Sequence, residues 1–220
     1  MKTKIIPVIH YLDDEQAMRN ARRVYDAGCD GVMLIDMTGG NARLIPLAQD
    51  IKIEWPDMPV GVNHLGFDPL RSLDLNLAAG LDMTWTDAQP THTVFPDDQL
   101  SLMLSRRIGR KRHDLFVGVA FKHQEHEPDP VGAAKSAIAR SLIPTTSGSA
   151  TGKAAAVQDI INLRQGIGPA APLAIASGIT PKNFADFGPH LTHVLVATGV
   201  SHTFHELDEE LMRQLVTTHS

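Results

Sequence analysis

Short apolar runs of strand length alternate with segments of helical periodicity, and they do so eight times within 220 residues. That rhythm constrains the fold more than any other feature of the chain. The first run, Lys4–His10, is followed by Asp13 and Asp14, either of which caps a helix whose Ala17, Ala21 and Val24 recur at i, i+4 and i+7. Gly28 ends it. Further strands are expected over 31–37, 59–64, 81–86, 115–122, 142–146, 173–177 and 194–198. Helices are expected over 41–54, after Asp68-Pro69, after Asp97/Asp98, from Pro130 to about Arg140, around Val157 and Ile160, after Thr180-Pro181, and over Leu207, Leu211 and Leu215.

Strands rich in Val, Ile and Leu, each joined to the next by a helix, imply a parallel sheet covered on both faces. Eight such units close most economically as a (β/α)8 TIM barrel, typically about 250 residues long. The expectation is therefore one barrel domain over residues 1–220. A doubly wound open sheet is the competitor, and it would need an end to the strand order that the sequence does not display. An internal echo favours the barrel. Ala27-Gly28-Cys29-Asp30 and Ala79-Gly80-Leu81-Asp82 each precede a strand that ends in Asp, and Val60-Gly61-Val62-Asn63 resembles Val117-Gly118-Val119-Ala120.

Composition then removes whole classes of function. A net charge of −5 argues against a protein that binds nucleic acid over a broad basic face. The one basic cluster, Arg106, Arg107, Arg110, Lys111 and Arg112, reads as the solvated end of a helix, where cations offset the dipole. Cys29 is the only cysteine, so neither an internal disulfide nor a thiolate zinc site can form. No apolar run approaches the roughly 18 residues of a membrane span. The N-terminal segment breaks at Pro7 and meets Asp13, unlike a signal peptide, so the cytoplasm is the expected location. The sequence leaves a homo-oligomer open.

In a barrel of this kind the active site forms where strands end and βα loops begin. The polar residues at those positions are His10, Asp36, Asn63, His64, Asp87, Lys122, His123, Thr145, Thr146, Ser177 and Thr198. Three glycine-bearing loops follow the last three strands: Ser147-Gly148-Ser149-Ala150-Thr151-Gly152, Ser177-Gly178-Ile179-Thr180 and Ala197-Thr198-Gly199-Val200-Ser201. Such loops turn backbone N–H groups toward an anion, and phosphate sites after strands seven and eight recur in this fold. The competing reading is that these glycines only permit tight turns. The run from Gly148 to Lys153 is not a P-loop, because its first glycine is one residue too close and Ala154 stands where Ser or Thr is needed. The partner expected is a small phosphorylated molecule held by Ser147, Gly148, Thr151, Gly152, Ser177, Gly178, Thr198 and Gly199, with Asn63 reading a hydroxyl.

Asp36 and Asp87 end strands two and four and form a candidate acid/base pair. Either would alternatively stabilise an oxocarbenium-like centre at a ribose C1, or merely cap its own loop. Lys122 is placed to form a Schiff base or steady an enolate, with a salt bridge to Glu125 as the plain alternative. His10 completes the candidate catalytic set. The run His123-Gln124-Glu125-His126-Glu127 departs from His-Glu-x-x-His, so no cofactor is expected and a divalent metal is the secondary reading.

With these motifs assembled, the chain resembles the BtpA/SgcQ family of TIM-barrel proteins, relatives of the ribulose-phosphate-binding barrels. Val60-Gly61-Val62-Asn63-His64-Leu65-Gly66-Phe67-Asp68 is similar to that family's strand-three motif. Thr146 to Gly152 is similar to its strand-six loop, and Ser177-Gly178-Ile179-Thr180-Pro181-Lys182-Asn183 to its strand-seven loop. His10 sits where the family's first strand also ends in His. Ile35-Asp36-Met37 replaces a Glu-Asn pair, and Thr86-Asp87-Ala88 and Ala197-Thr198-Gly199 also depart from the pattern. The resemblance implies a phosphate-binding barrel in a divergent subgroup, and the site residues themselves lead to the expectation of an isomerase or lyase acting on a phosphorylated sugar or ribose-phosphate compound. The alternatives it leaves are a non-catalytic biogenesis factor of BtpA type, a metal-dependent hydrolase and a ribosyl hydrolase.

Overall fold

Every strand of the sheet pairs in parallel with its neighbours in chain order, and the last pairs with the first. The computed structural model describes residues 2–109, 111–148 and 154–218. The elements are β1 (Lys4–His10), α1 (Asp14–Asp26), β2 (Val32–Ile35), α2 (Leu44–Glu54), β3 (Val60–Asn63), α3 (Pro69–Ala78), β4 (Met83–Trp85) and α4 (Asp98–Ile108). They continue with β5 (Asp114–Gly118), α5 (Pro130–Ala139), β6 (Ile143–Thr146), α6 (Val157–Ile167), β7 (Ala174–Ala176), α7 (Phe184–Phe187), β8 (His193–Val196) and α8 (Glu209–Thr217). The fold is a (β/α)8 TIM barrel. None of the described helices is long and apolar enough to cross a membrane.

Alternation along each strand sorts the core into two shells. Ile6, Val8, Met33, Ile35, Met83, Phe116, Ile143 and Leu195 turn inward and fill the barrel as one buried cluster. Their neighbours Ile5, Ile9, Val32, Leu34, Val60 and Val62 turn outward and pack with helix residues such as Ala17, Ala21, Leu47 and Ile51. Gly61 lies inside β3 because a Cβ there would meet Met83 Cβ at 2.6 Å and Met33 Cε at 2.8 Å. Two methionines fill the space that its side chain would claim.

The first sequence echo is a physical repeat. Gly28 and Gly80 both take a left-handed φ, +75° and +70°, just past a helix end. Two residues on, Asp30 Oδ2 accepts from Ile5 N and Asp82 Oδ2 accepts from Val60 N, each at 2.9 Å. Each unit thus ends a helix and anchors the start of the preceding strand with an Ala-Gly-x-Asp segment, x being Cys29 in one and Leu81 in the other. The second echo has no such basis: Gly61 is central in β3, whereas Gly118 ends β5.

Helix starts follow the aspartates. Asp13, Asp68, Asp97, Asp129 and Asp208 each accept a hydrogen bond from the backbone N–H three residues on, at 2.7–3.0 Å. Most strands end one or more residues earlier than expected, and two of these differences matter most at the mouth. β5 stops at Gly118, because Ala120 (φ +47°) and His123 (φ +60°) turn left-handed and cannot extend a strand, so Lys122 stands on a loop. β8 ends at Val196, and Thr198 opens a 3-10 turn over Thr198–Val200.

Candidate active site

The C-terminal ends of the strands enclose a cavity of about 320 Å³. His10 from the end of β1, Asp87 from just beyond β4 and Lys122 from the β5–α5 loop all line it, with Ser177 and Thr198 from the loops after β7 and β8. Asp87 follows Met83 and Trp85 in the inward alternation, which carries its carboxylate to the mouth. Solvent reaches it, yet the crowding walls push its carboxyl up from the ordinary value. A hydrogen bond from Asn63 Nδ2 at 3.4 Å and the charge of Lys122 oppose that rise. Burial pushes the Lys122 ammonium down, and Asp87 resists the fall. Burial also lowers His10, against a hydrogen bond between Nδ1 and the Phe204 carbonyl at 3.1 Å. Acid, ammonium and imidazole are therefore all moved toward their neutral forms in one cavity, a pattern that concentrates at functional sites.

Two loops present backbone on the other side. Ser177 holds φ +116° and Gly178 +76°, two consecutive positive-φ residues that turn the chain sharply after β7. Asn183 keeps them in place, donating from Nδ2 to the Gly178 carbonyl at 2.9 Å and accepting from Thr180 N at 2.8 Å. Gly199 is required by close approach, since a Cβ there would overlap the Ile179 carbonyl of the neighbouring loop. Three of the four non-glycine residues with positive φ among the described residues, Ala120, His123 and Ser177, stand at this mouth. Strain of this kind persists where surrounding structure imposes it, often at functional sites.

Several expected site residues go elsewhere. Asp36 does not line the cavity: its Oδ1 accepts from Thr38 N at 2.8 Å and Thr38 Oγ1 at 2.6 Å, which closes the turn after β2. It therefore does not pair with Asp87 as an acid/base couple. Ser147 accepts from Lys122 N at 2.8 Å and donates to the Gly148 carbonyl at 2.9 Å, so its hydroxyl fixes the lysine's loop. Asn63 is buried beneath Asp87 and hydrogen-bonds it, which leaves no side-chain amide facing the cavity. Gly148, Gly178 and Gly199 are likewise outside the cavity wall. Thr151 and Gly152 lie outside the described residues. His64 packs, bonding Asn76 Oδ1 at 2.9 Å. Glu127 is buried in a clamp, accepting from Thr93 N at 2.8 Å and Asp129 N at 2.8 Å. Among the described residues no three His, Cys, Asp or Glu side chains come together as metal ligands.

Sequence reading missed the wall. Val8, Ile35, Met37, Leu65, Trp85, Phe121 and Phe204 line most of the cavity. Inward alternation marks Val8, Ile35 and Trp85, but Phe204 comes from a loop without periodicity. That loop is tied to α1: Asn20 Nδ2 donates to the His205 carbonyl at 2.7 Å, Asn20 Oδ1 accepts from Leu207 N at 3.1 Å, and Arg19 and Arg23 both pair with Glu206. So held, Phe204 stacks on His10 with centroids 4.2 Å apart.

No protein-family profile matches the chain, and no curated protein matches it. Solved structures do resemble it. Phosphoribosylanthranilate isomerase from Thermotoga maritima aligns with a TM-score of 0.68 at 14% identity, over 98% of this chain and 97% of that one. A native KDPGal structure aligns with a TM-score of 0.73 at 14% identity, over 99% and 94%. KGPDC from Streptococcus mutans aligns with a TM-score of 0.72 at 10% identity, over 99% and 97%. At these identities the likeness establishes the shared barrel.

Proposed function

We propose that this protein is an enzyme that moves a proton on a small phosphorylated sugar or ribose-phosphate compound, as an isomerase or lyase. The observation that carries the reading is the convergence of Asp87, Lys122 and His10, each shifted toward neutrality, on one cavity. A carboxyl whose pKa is raised and an ammonium whose pKa is lowered are both moved in the direction that favours general acid–base work. In this reading Asp87 takes the proton beside a substrate carbonyl. Lys122 steadies the resulting enolate or forms a Schiff base, and neutral His10 relays the proton. The phosphate sits at the backbone of Ser177 and Thr198, which line the cavity from the loops after β7 and β8. Two kinds of support come from outside the site's own chemistry: the resemblance to BtpA/SgcQ barrels, and a structural neighbour described as a phosphoribosylanthranilate isomerase.

The test is hydrogen–deuterium exchange at carbon, followed by proton NMR in D2O across a panel of pentose and hexose phosphates. A substrate should exchange with the wild type and lose at least about 100-fold in rate with Asp87→Asn, the scale of one general base. Exchange that survives both Asp87→Asn and Lys122→Met would refute the assignment. Borohydride trapping with mass mapping to Lys122 separates the Schiff-base route from the enolate route.

A further inference from the structure

We infer that the substrate carries, away from its phosphate, an aryl or heteroaromatic ring seated on the apolar wall of the cavity; the inference rests on the phosphosugar reading above. Of residues 35–65, three line the cavity, and all are apolar: Ile35, Met37 and Leu65. The polar side chains of that stretch are turned into their own loops. Asp36 closes the turn with Thr38, and Asn41 Nδ2 donates to the Gly39 and Leu65 carbonyls, both at 3.0 Å. Asn63 faces Asp87. A sugar hydroxyl placed there would leave water without finding a partner, and an unsatisfied buried polar group is strongly disfavoured.

An apolar group meets the opposite situation. Met37 is 48% exposed and Phe204 46% exposed, two large apolar side chains at the rim that a ligand would cover. Trp85 and Phe121 stand edge to face, centroids 6.1 Å apart, and present aromatic surface beside Asp87 and Lys122. Edge and offset contacts between rings add to the gain from buried area alone, an addition a plain alkyl chain forgoes. The ring therefore lies on the apolar wall made by Ile35, Met37 and Leu65 with Trp85, Phe121 and Phe204, and the reacting carbons lie at Asp87, Lys122 and His10.

Isothermal titration with three probes tests this: phenyl riboside 5-phosphate, D-ribose 5-phosphate and phosphate-free phenyl riboside. The aryl phosphate should bind at least 10-fold tighter than ribose 5-phosphate, about 1.4 kcal/mol. Leu65→Gln and Met37→Gln should each bring that ratio toward one, and the half-exposed Met37 makes the second substitution safe for folding. Equal affinities for the two phosphates overturn the ring inference and leave the phosphate reading standing. Should the phosphate-free riboside match its phosphate and exceed ribose 5-phosphate, the ring subsite stands and the phosphate reading falls. Binding of none of the three overturns both.

Discussion

Replacing Asn20 with alanine should unfasten the loop that carries Phe204 over His10. Asn20 is fully buried, and its amide holds the loop twice, at the His205 carbonyl (2.7 Å) and at Leu207 N (3.1 Å). The His205 carbonyl keeps a second partner in Gln16 Nε2, so its lost bond amounts to about 0.5–1.5 kcal/mol. Leu207, at 3% exposure, has no water to replace Asn20, and an orphaned N–H there costs about 1–3 kcal/mol. The combined loss is about 2–4 kcal/mol. For a domain of this size each kcal/mol lowers Tm by about 2–4 °C, so a fall of roughly 5–15 °C is expected. Calorimetry measures the fall, and amide hydrogen exchange over residues 201–207 localises it. Gln214→Ala, on the exposed face of α8, is the control and should change stability by less than about 0.5 kcal/mol. A Tm drop in Asn20→Ala below about 2 °C, or unchanged protection in 201–207, would refute the claim that this side chain fastens the loop.

Burial lowers the pKa of His64 and His113, so the unfolded chain binds more protons, and stability should decline as pH falls from about 7 through the unfolded value near 6.5. Burial opposes ionisation of Asp114, but His193 and Lys4 outweigh it and hold the carboxyl low, which adds a second loss of stability below about pH 4. Urea midpoints that stay flat from pH 7.5 to 5 would contradict the histidine part. Gly199→Ala forces a Cβ into the Ile179 carbonyl and should destabilise by on the order of 3 kcal/mol in urea unfolding, while a soluble variant of unchanged midpoint would show that the two loops are free to separate. Burial and the Asp30 charge push the Cys29 thiol up to about 12, so iodoacetamide at pH 8 should label it roughly a thousandfold more slowly than free cysteine until urea unfolds the chain.

Much of the fold was legible because barrel units repeat simple local chemistry. Asp68-Pro69 starts a helix where a capping aspartate and a proline at the first position predict one, and β1 runs over Lys4–His10 as its apolar pattern predicts. Legibility fell at the mouth, where the chain leaves periodic structure. Asp36 and Asp87 look alike in the sequence, each an aspartate at a strand end, yet the residues after them differ. Thr38 sits two residues beyond Asp36 and satisfies its carboxylate, and Gly40 leaves room that a Cβ, 2.6 Å from Asp36 Oδ2, would fill. Ala88-Gln89-Pro90 offers Asp87 no such partner, and its carboxylate remains at the cavity. The apolar wall was invisible for another reason. Alternation tells which side chains face inward but not how far the packed layers rise, and Phe204 is held at the cavity by long-range bonds from its loop to Gln16, Asn20, Arg19 and Arg23.

Whether a phosphate binds at the loops after β7 and β8 decides the functional reading. Titration of the isotope-labelled protein with D-ribose 5-phosphate, followed through amide chemical shifts, measures this directly. The largest and saturable shifts should fall on Ser177, Gly178, Thr198 and Gly199, with smaller ones at Lys122. Shifts confined to another part of the surface, or none at millimolar ligand, would contradict it.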